Sequence, residues 1–210
     1  QGVAGMGHLN ASVEVDGGLR TEPLVLQYFD QFYPSLSALV AAKSLNLSVS
    51  DVKVRLGEGV SIGNLKIPTD PFLQMNTFFY KDRDGRSVFR MDSFFDVYSG
   101  KVKIESFKDK IVLIGPTAAG VGTTSVTPVS PAMAPVLTLA HSVSSILQQH
   151  FFISPAWGYW VEMLAFVVIA GYLIALLPRL GAGMGAAISG GLVAVIFASH
   201  FALMTTQGVW

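Results

Sequence analysis

The sequence predicts an α/β domain with a mixed sheet, followed by a transmembrane hairpin of two helices. Three observations carry that expectation. Of the 14 Lys+Arg and 14 Asp+Glu residues, all but Glu162 and Arg179 lie within residues 1–150. Residues 157–177 form an apolar run with Glu162 as its one charge, and residues 182–206 form a second with none. The charged part, by contrast, mixes short β-branched pieces with segments of helical period.

Composition excludes several classes. The chain has 210 residues, net charge 0, 51% hydrophobic residues and a mean hydropathy of +0.51, too apolar for an ordinary soluble domain and too charged for a membrane bundle throughout. Without a basic run there is no electrostatic footprint for nucleic acid. With no cysteine there is neither a disulfide framework nor a thiolate metal site, so the polar part depends on an apolar core, which about 150 residues can supply. Because the chain starts at Gln1 with neither Met nor a signal peptide, a processed protein or an internal portion of a longer one is expected.

Along the polar part, residues 7–26 alternate through Val13 and Val15, turn at Asp16, Gly17 and Gly18, and resume at Leu19, a hairpin pattern. Pro34 precedes a helix expected over residues 35–47, where Leu36, Leu39, Val40 and Leu47 repeat at helical spacing with Ala38, Ala41 and Ala42. Strand-like pieces at residues 52–56, 60–67 and 72–80 are expected to pair antiparallel. Residues 81–86 form a charged turn. Asp82, Asp84 and Gly85 imitate a calcium loop whose twelfth position would be Ser93 rather than a bidentate acid, so a solvated turn is expected. Residues 93–98 read as a short helix.

The strongest local signal is residues 108–122. Ile111, Val112, Leu113 and Ile114 form a continuous apolar run, as in a strand buried on both faces, with a glycine-rich turn directly after it. Such a unit begins a phosphate site, but Gly115 and Gly120 are followed by Val121 and Gly122 where the P-loop needs Lys and Ser/Thr. Gly115, Gly120 and Gly122 also miss the dinucleotide spacing. These glycines are expected to shape a turn or the rim of a small-ligand site, with Gly115, Thr117, Gly120, Thr123 and Thr127 as candidate ligand-binding residues. After a proline-bounded loop, a helix is expected over residues 136–149, leading across residues 151–155 to the first span. His141 stands beside Ser142 without an acid or a nucleophile elbow nearby. No catalytic residue, metal site or cofactor is predicted.

In the membrane part, residues 157–177 are long enough, at 1.5 Å per residue, to cross a hydrocarbon core of about 30 Å. Pro178, Arg179 and Leu180 make the connection, and residues 182–206 return. Arg179 places the turn at residues 178–181 on the cytoplasmic side and residues 207–210 outside. Trp157, Trp160 and Trp210, with Phe151, Phe152 and Tyr159, then form an outer aromatic belt, and residues 1–150 lie outside the membrane. Ala182, Ala186, Gly190, Ala194 and Ala198 recur every four positions, with Gly181, Gly185 and Ser189 on an adjacent row; such residues allow close helix approach, first against the other span and alternatively at a dimer seam. Glu162 is expected to snorkel, and His200 to make an interfacial hydrogen bond.

Taken in order, GHLN and DGGLR near the start, PSLSALVAA, SFFDVYSGKV, KIVLIGPTAAG, TPVSP and a helix leading to membrane spans resemble the second type of CHASE domain. The resemblance covers roughly residues 7–147. It implies an α/β sensor domain outside a bacterial cytoplasmic membrane, attached through membrane helices to a cyclase or kinase output. The chain departs from the family at Thr123, where an acid is common, and at Leu137 and Leu139, where a Glu and a His are common. Two functions follow as expectations. One is a sensor that binds a small ligand near residues 115–127 and shifts the last helix of the domain; the other is a non-catalytic accessory subunit, a sensor fold reused as a scaffold in a larger membrane complex. An extracytoplasmic enzyme using Asp92, Asp96, His8 or His141 is the third, since their spacing shows no paired acid and base. Membrane lipid and other transmembrane helices, in a homodimer or a larger complex, are the expected partners, with an unidentified small ligand and no nucleic acid.

Overall fold

A computed structural model describes residues 5–55, 57–83, 87–118, 121–153 and 157–207. The backbone divides into two compact units, Gln1–Phe151 and Phe152–Trp210. The first holds small sheets and helices, and the second holds two long apolar helices.

In the first unit, β1 (Ser12–Val13) and β2 (Leu19–Pro23) form the expected hairpin. Gly17 adopts φ +80° in its turn, and the Arg20 guanidinium bonds Glu14 and, at 2.6 Å, Asp16. That partner holds the Asp16 carboxyl down at about 2. β3 (Val25–Tyr28) and β4 (Gln31–Pro34) make a second hairpin. α1 (Leu36–Ser44) starts where Ser35 caps it, the Ser35 side chain accepting from the Ala38 N–H. β5 (Val52–Arg55), β6 (Gly59–Ile62) and β7 (Leu65–Ile67) form an antiparallel meander. β8 (Gln74–Asn76) pairs with β2. α2 (Phe94–Tyr98) is followed by the hairpin of β9 (Ser125–Thr127) and β10 (Ser130–Met133), and then by α3 (Pro135–Gln148). Pro135 suits a first helical position, and Gln149 closes α3 in the left-handed region at φ +55°.

The core forms where α1 and α3 pack on β6, β7 and β8. Leu24, Ile62, Ile67, Met75 and Ile146 are fully buried there, and Ala38, Ala41 and Ala42 keep the face of α1 flat enough for close approach. Each large apolar side chain buried in this way contributes roughly 1.5–3 kcal/mol.

The structure corrects two sequence expectations. Residues 111–114 are not a strand, and Ile111, Val112 and Ile114 are 42%, 50% and 78% exposed. An apolar run encodes a preference for burial, but a strand also needs a neighbour for its N–H and C=O groups, and no described strand lies alongside. The single strand expected over residues 60–67 is a hairpin, because Gly63 turns the chain at φ +58° between β6 and β7.

In the second unit, α4 (Gly158–Gly171) continues through a π turn and a 3₁₀ turn to Arg179, and α5 (Ala182–Gln207) follows. Gly158–Arg179 and Ala182–Thr205 have mean hydropathies of 2.3 and 1.9, and apart from Gly185 their described residues are exposed or only partly buried. Both helices are long and apolar enough to cross a membrane, and they are not buried as the core helices of a soluble domain are. They approach each other where the Tyr172 hydroxyl donates to the Gly185 carbonyl at 3.1 Å and lies 2.9 Å from Ser189 Oγ.

Candidate functional site

The candidate ligand residues lie around one exposed loop. Gly115 lies against the first turn of α3, so close that a Cβ there would meet Val136 Cβ at 2.7 Å. Thr117 and Thr123 are exposed, and Gly120 lies outside the described residues. Thr127 is buried and its hydroxyl is already used: it donates to the Ser130 carbonyl at 3.1 Å and accepts from the Ser130 N–H at 3.2 Å, closing the β9–β10 turn. Gly115 thus lies against the start of α3, Thr127 closes the hairpin that precedes α3, and Thr123 is exposed just before that hairpin. Cavities lie elsewhere in this unit. One of about 390 Å³ is lined by Leu36, Leu39, Val40, Lys43 and Ile111, and one of about 420 Å³ by Val25, Phe32, Pro34, Val52 and Val54.

A polar junction that sequence spacing does not reveal lies on the opposite side of α3. Ser142 and Ser145 are fully buried, and His141 is 4% exposed. The Phe78 N–H donates to Ser145 Oγ at 2.9 Å, and that hydroxyl donates to the Phe78 carbonyl at 3.2 Å. The Tyr80 N–H donates to His141 Nδ1 at 3.2 Å. One face of α3 thus supplies hydrogen bonds that a neighbouring strand would otherwise give to residues 77–80. The His141 ring lies among Phe79, Tyr80 and Phe89, stacked on Tyr80 with centroids 5.8 Å apart. Burial pulls its pKa down to about 4, against a smaller opposing pull from Asp82.

Toward α1, Ser142 faces Glu22 of β2. Ser37 donates to Glu22 Oε1, Ser35 and Ser142 also hydrogen-bond the carboxyl, and Ser142 Oγ lies 3.4 Å from the Thr77 hydroxyl. Residues from β2, α1 and α3 thereby meet at one carboxyl group. Burial pushes its pKa up, and the three hydroxyls, which favour the ionised form, offset this only in part. The Ser–Ser spacing at 35 and 37 and at 142 and 145 is visible in the sequence, but Glu22 is too far away along the chain for any periodicity to link them.

The other titratable candidates have local partners. Asp92 pairs with Arg90 at 2.8 Å and Asp96 with Lys101 at 2.9 Å, exposed pairs of a kind worth little. Asp82 accepts from the Val88 N–H at 3.3 Å; Asp84 and Gly85 lie outside the described residues. The backbone of His8 is tied to the start of α1, its N–H donating to the Pro34 carbonyl and its carbonyl accepting from Leu36. Burial lowers the pKa of its imidazole.

In the second unit, Ala182, Ala186, Gly190, Ala194 and Ala198 are exposed, while Gly185 and Ser189 of the adjacent row meet Leu177 and Tyr172. Trp157 and Trp160 are exposed near the start of α4, and Trp210 lies outside the described residues.

A family model described as CHASE2 domain matches residues 1–176. No curated protein and no solved structure matches the chain.

Proposed function

We propose, from the premise that the chain belongs to the CHASE2 domain family of extracytoplasmic sensory modules, that residues 1–150 sense a stimulus outside a bacterial cytoplasmic membrane and relay it to membrane helices. The observation that carries this reading is the inward face of α3. It binds residues 77–80 through Ser145 and His141, packs Ile146 into the core, and belongs to the last helix before the apolar ones in sequence. A stimulus that binds two packings of this face unequally shifts their populations, and α3 carries that shift toward the chain that follows.

Within this proposal, residues 151–156 are a linker, and residues 157–177 and 182–206 are spans joined by a cytoplasmic turn at 178–181. The loop bearing Gly115, Thr117, Gly120, Thr123 and Thr127 receives a small ligand. Ala182, Ala186, Gly190, Ala194 and Ala198 pack against another transmembrane helix, in a homodimer or a larger complex.

Because the chain has no cysteine, a dye on a single Gly181→Cys substitution reports on the hairpin turn alone. The chain in nanodiscs is titrated with amino acids, monosaccharides and inorganic phosphate. A sensor raises its melting temperature with one of these probes and shifts the dye emission in parallel, and Thr127→Ala weakens both responses. A melting shift that leaves the dye unchanged rejects the relay.

One observation favours the second reading, a sensor fold reused as a non-catalytic accessory subunit. Phe94, Phe95, Ile111 and Ile114 are each exposed, large apolar side chains that a protein partner would cover. A scaffold subunit copurifies with other membrane proteins and responds to none of the probes.

A further inference from the structure

We propose that Glu22 is a proton switch at the junction of α1 and α3: the helices close on the neutral carboxyl and separate from the carboxylate. The proposal begins with the position of the group. β2 sets Glu22 opposite Met75 of β8, which is fully buried, while the Glu22 residue itself is only half-buried. Its side chain therefore lies on the core face of β2, although the residue as a whole is not sealed from solvent.

The partners of the carboxyl are fully buried serine hydroxyls. Ser37 donates to it, Ser35 and Ser142 hydrogen-bond to it, and Ser35 and Ser37 are themselves linked at 2.8 Å. Ser35 is also the N-cap of α1, so the start of that helix and the middle of α3 are joined through one titratable group. Two of the three hydroxyls come from α1 and one from α3.

No cation compensates the ionised form. From α1 the carboxyl faces Ser35 and Ser37, from α3 Ser142, and from β8 its register partner Met75; among the described residues no charged group contributes to its environment. Arg20, on the same strand, is engaged with Glu14 and Asp16, and His141, next to Ser142, is engaged with Tyr80 and the phenylalanines around it. A carboxylate here keeps hydroxyl donors but loses much of its hydration, a state that favours opening toward water. Burial raises the pKa above the ordinary 4.5, so the neutral, closed form persists into less acidic conditions.

The sign follows from linkage. A raised folded pKa leaves the junction fully closed below the unfolded value and weakens it progressively as pH rises through the folded one. The switch deepens the sensory reading by naming a proton as the stimulus, and only its transmission to the membrane depends on that reading.

The test uses the full chain in nanodiscs, with hydrogen exchange at α1 and α3 corrected for the intrinsic pH dependence of amide exchange. Protection in the wild type is expected to fall by about tenfold for each unit by which the folded pKa exceeds the unfolded one, while Glu22→Gln shows no such fall. Ser142→Ala removes a hydroxyl that favours the carboxylate, so its transition moves to higher pH; this variant carries the test if Glu22→Gln does not fold. Matching profiles in wild type and Glu22→Gln, or a Ser142→Ala transition that stays put or moves down, overturn the switch. The Gly181→Cys dye separates the two levels. A pH response at α1 and α3 without a dye response keeps the switch and rejects the relay; a dye response to another stimulus with pH-flat protection keeps the relay and rejects the switch.

Discussion

The imidazole of His141 is held neutral by burial among Phe79, Tyr80 and Phe89, and its Nδ1 is committed to the Tyr80 N–H. Its folded pKa of about 4 lies below the ordinary 6.5, so the unfolded chain takes up the proton first. Stability from this residue is therefore complete above 6.5 and is lost as pH falls from 6.5 toward about 4, a loss on the order of 3 kcal/mol at most. Thermal melts across that window should show the decline in the wild type and a flatter profile in His141→Phe. That variant should also start lower, by roughly 1–3 kcal/mol, because the Tyr80 N–H loses its acceptor. Gly59 is a second position where one residue decides local structure. It adopts φ +115°, and a Cβ there would come 2.3 Å from the Ile67 carbonyl oxygen. Gly59→Ala should destabilise the β5–β6–β7 meander by about 1–3 kcal/mol or more and lower the melting temperature; an unchanged melt would show that β6 and β7 can move apart freely.

At the scale of elements, α3 joins the core to the polar junction. Ile146 is fully buried in the cluster with Leu24, Ile62 and Met75. Ile146→Ala should cost about 2–5 kcal/mol in equilibrium unfolding, near the low end if α1 closes into the space. α1 and α3 were legible in the sequence because each combines a start signal with a helical apolar period: Pro34 and Ser35 for one, Pro135 and Val136 for the other. The β6–β7 hairpin does leave a signal that a single strand over residues 60–67 overlooks: the alternation shifts phase across Gly63 and Asn64, from Val60 and Ile62 to Leu65 and Ile67. Residues 111–114 misled for a different reason. Composition shows that a segment prefers burial, but whether a strand forms is decided by distant backbone that can pair with it. The Glu22 junction was illegible for the same reason, since it is assembled from β2, α1 and α3, and no local rule links a strand glutamate to serines on two helices.

At the scale of the whole molecule, the division of charge in the sequence matches a physical division in the structure: a unit with an apolar core, and a unit whose apolar side chains face outward. The exposed helices fit lipid on hydropathy and length, whereas the orientation expected for them depends on a single cation, Arg179, near the turn. That dependence makes it testable. Single cysteines at Gly181 and at Ser99 of the otherwise cysteine-free chain can be probed with a membrane-impermeant maleimide in right-side-out and inverted vesicles. Gly181→Cys should react only in inverted vesicles and Ser99→Cys only in right-side-out ones; the reverse pattern would put residues 1–150 on the cytoplasmic side and end the sensory proposal. Arg179→Glu removes the only positive charge between the spans, and Asp and Glu contribute little to orientation. A mixed labelling pattern in that variant would show that Arg179 sets the topology. An unchanged pattern would show that the bulk of the 1–150 unit sets it instead, a large hydrophilic domain being committed to one side regardless of a nearby charge.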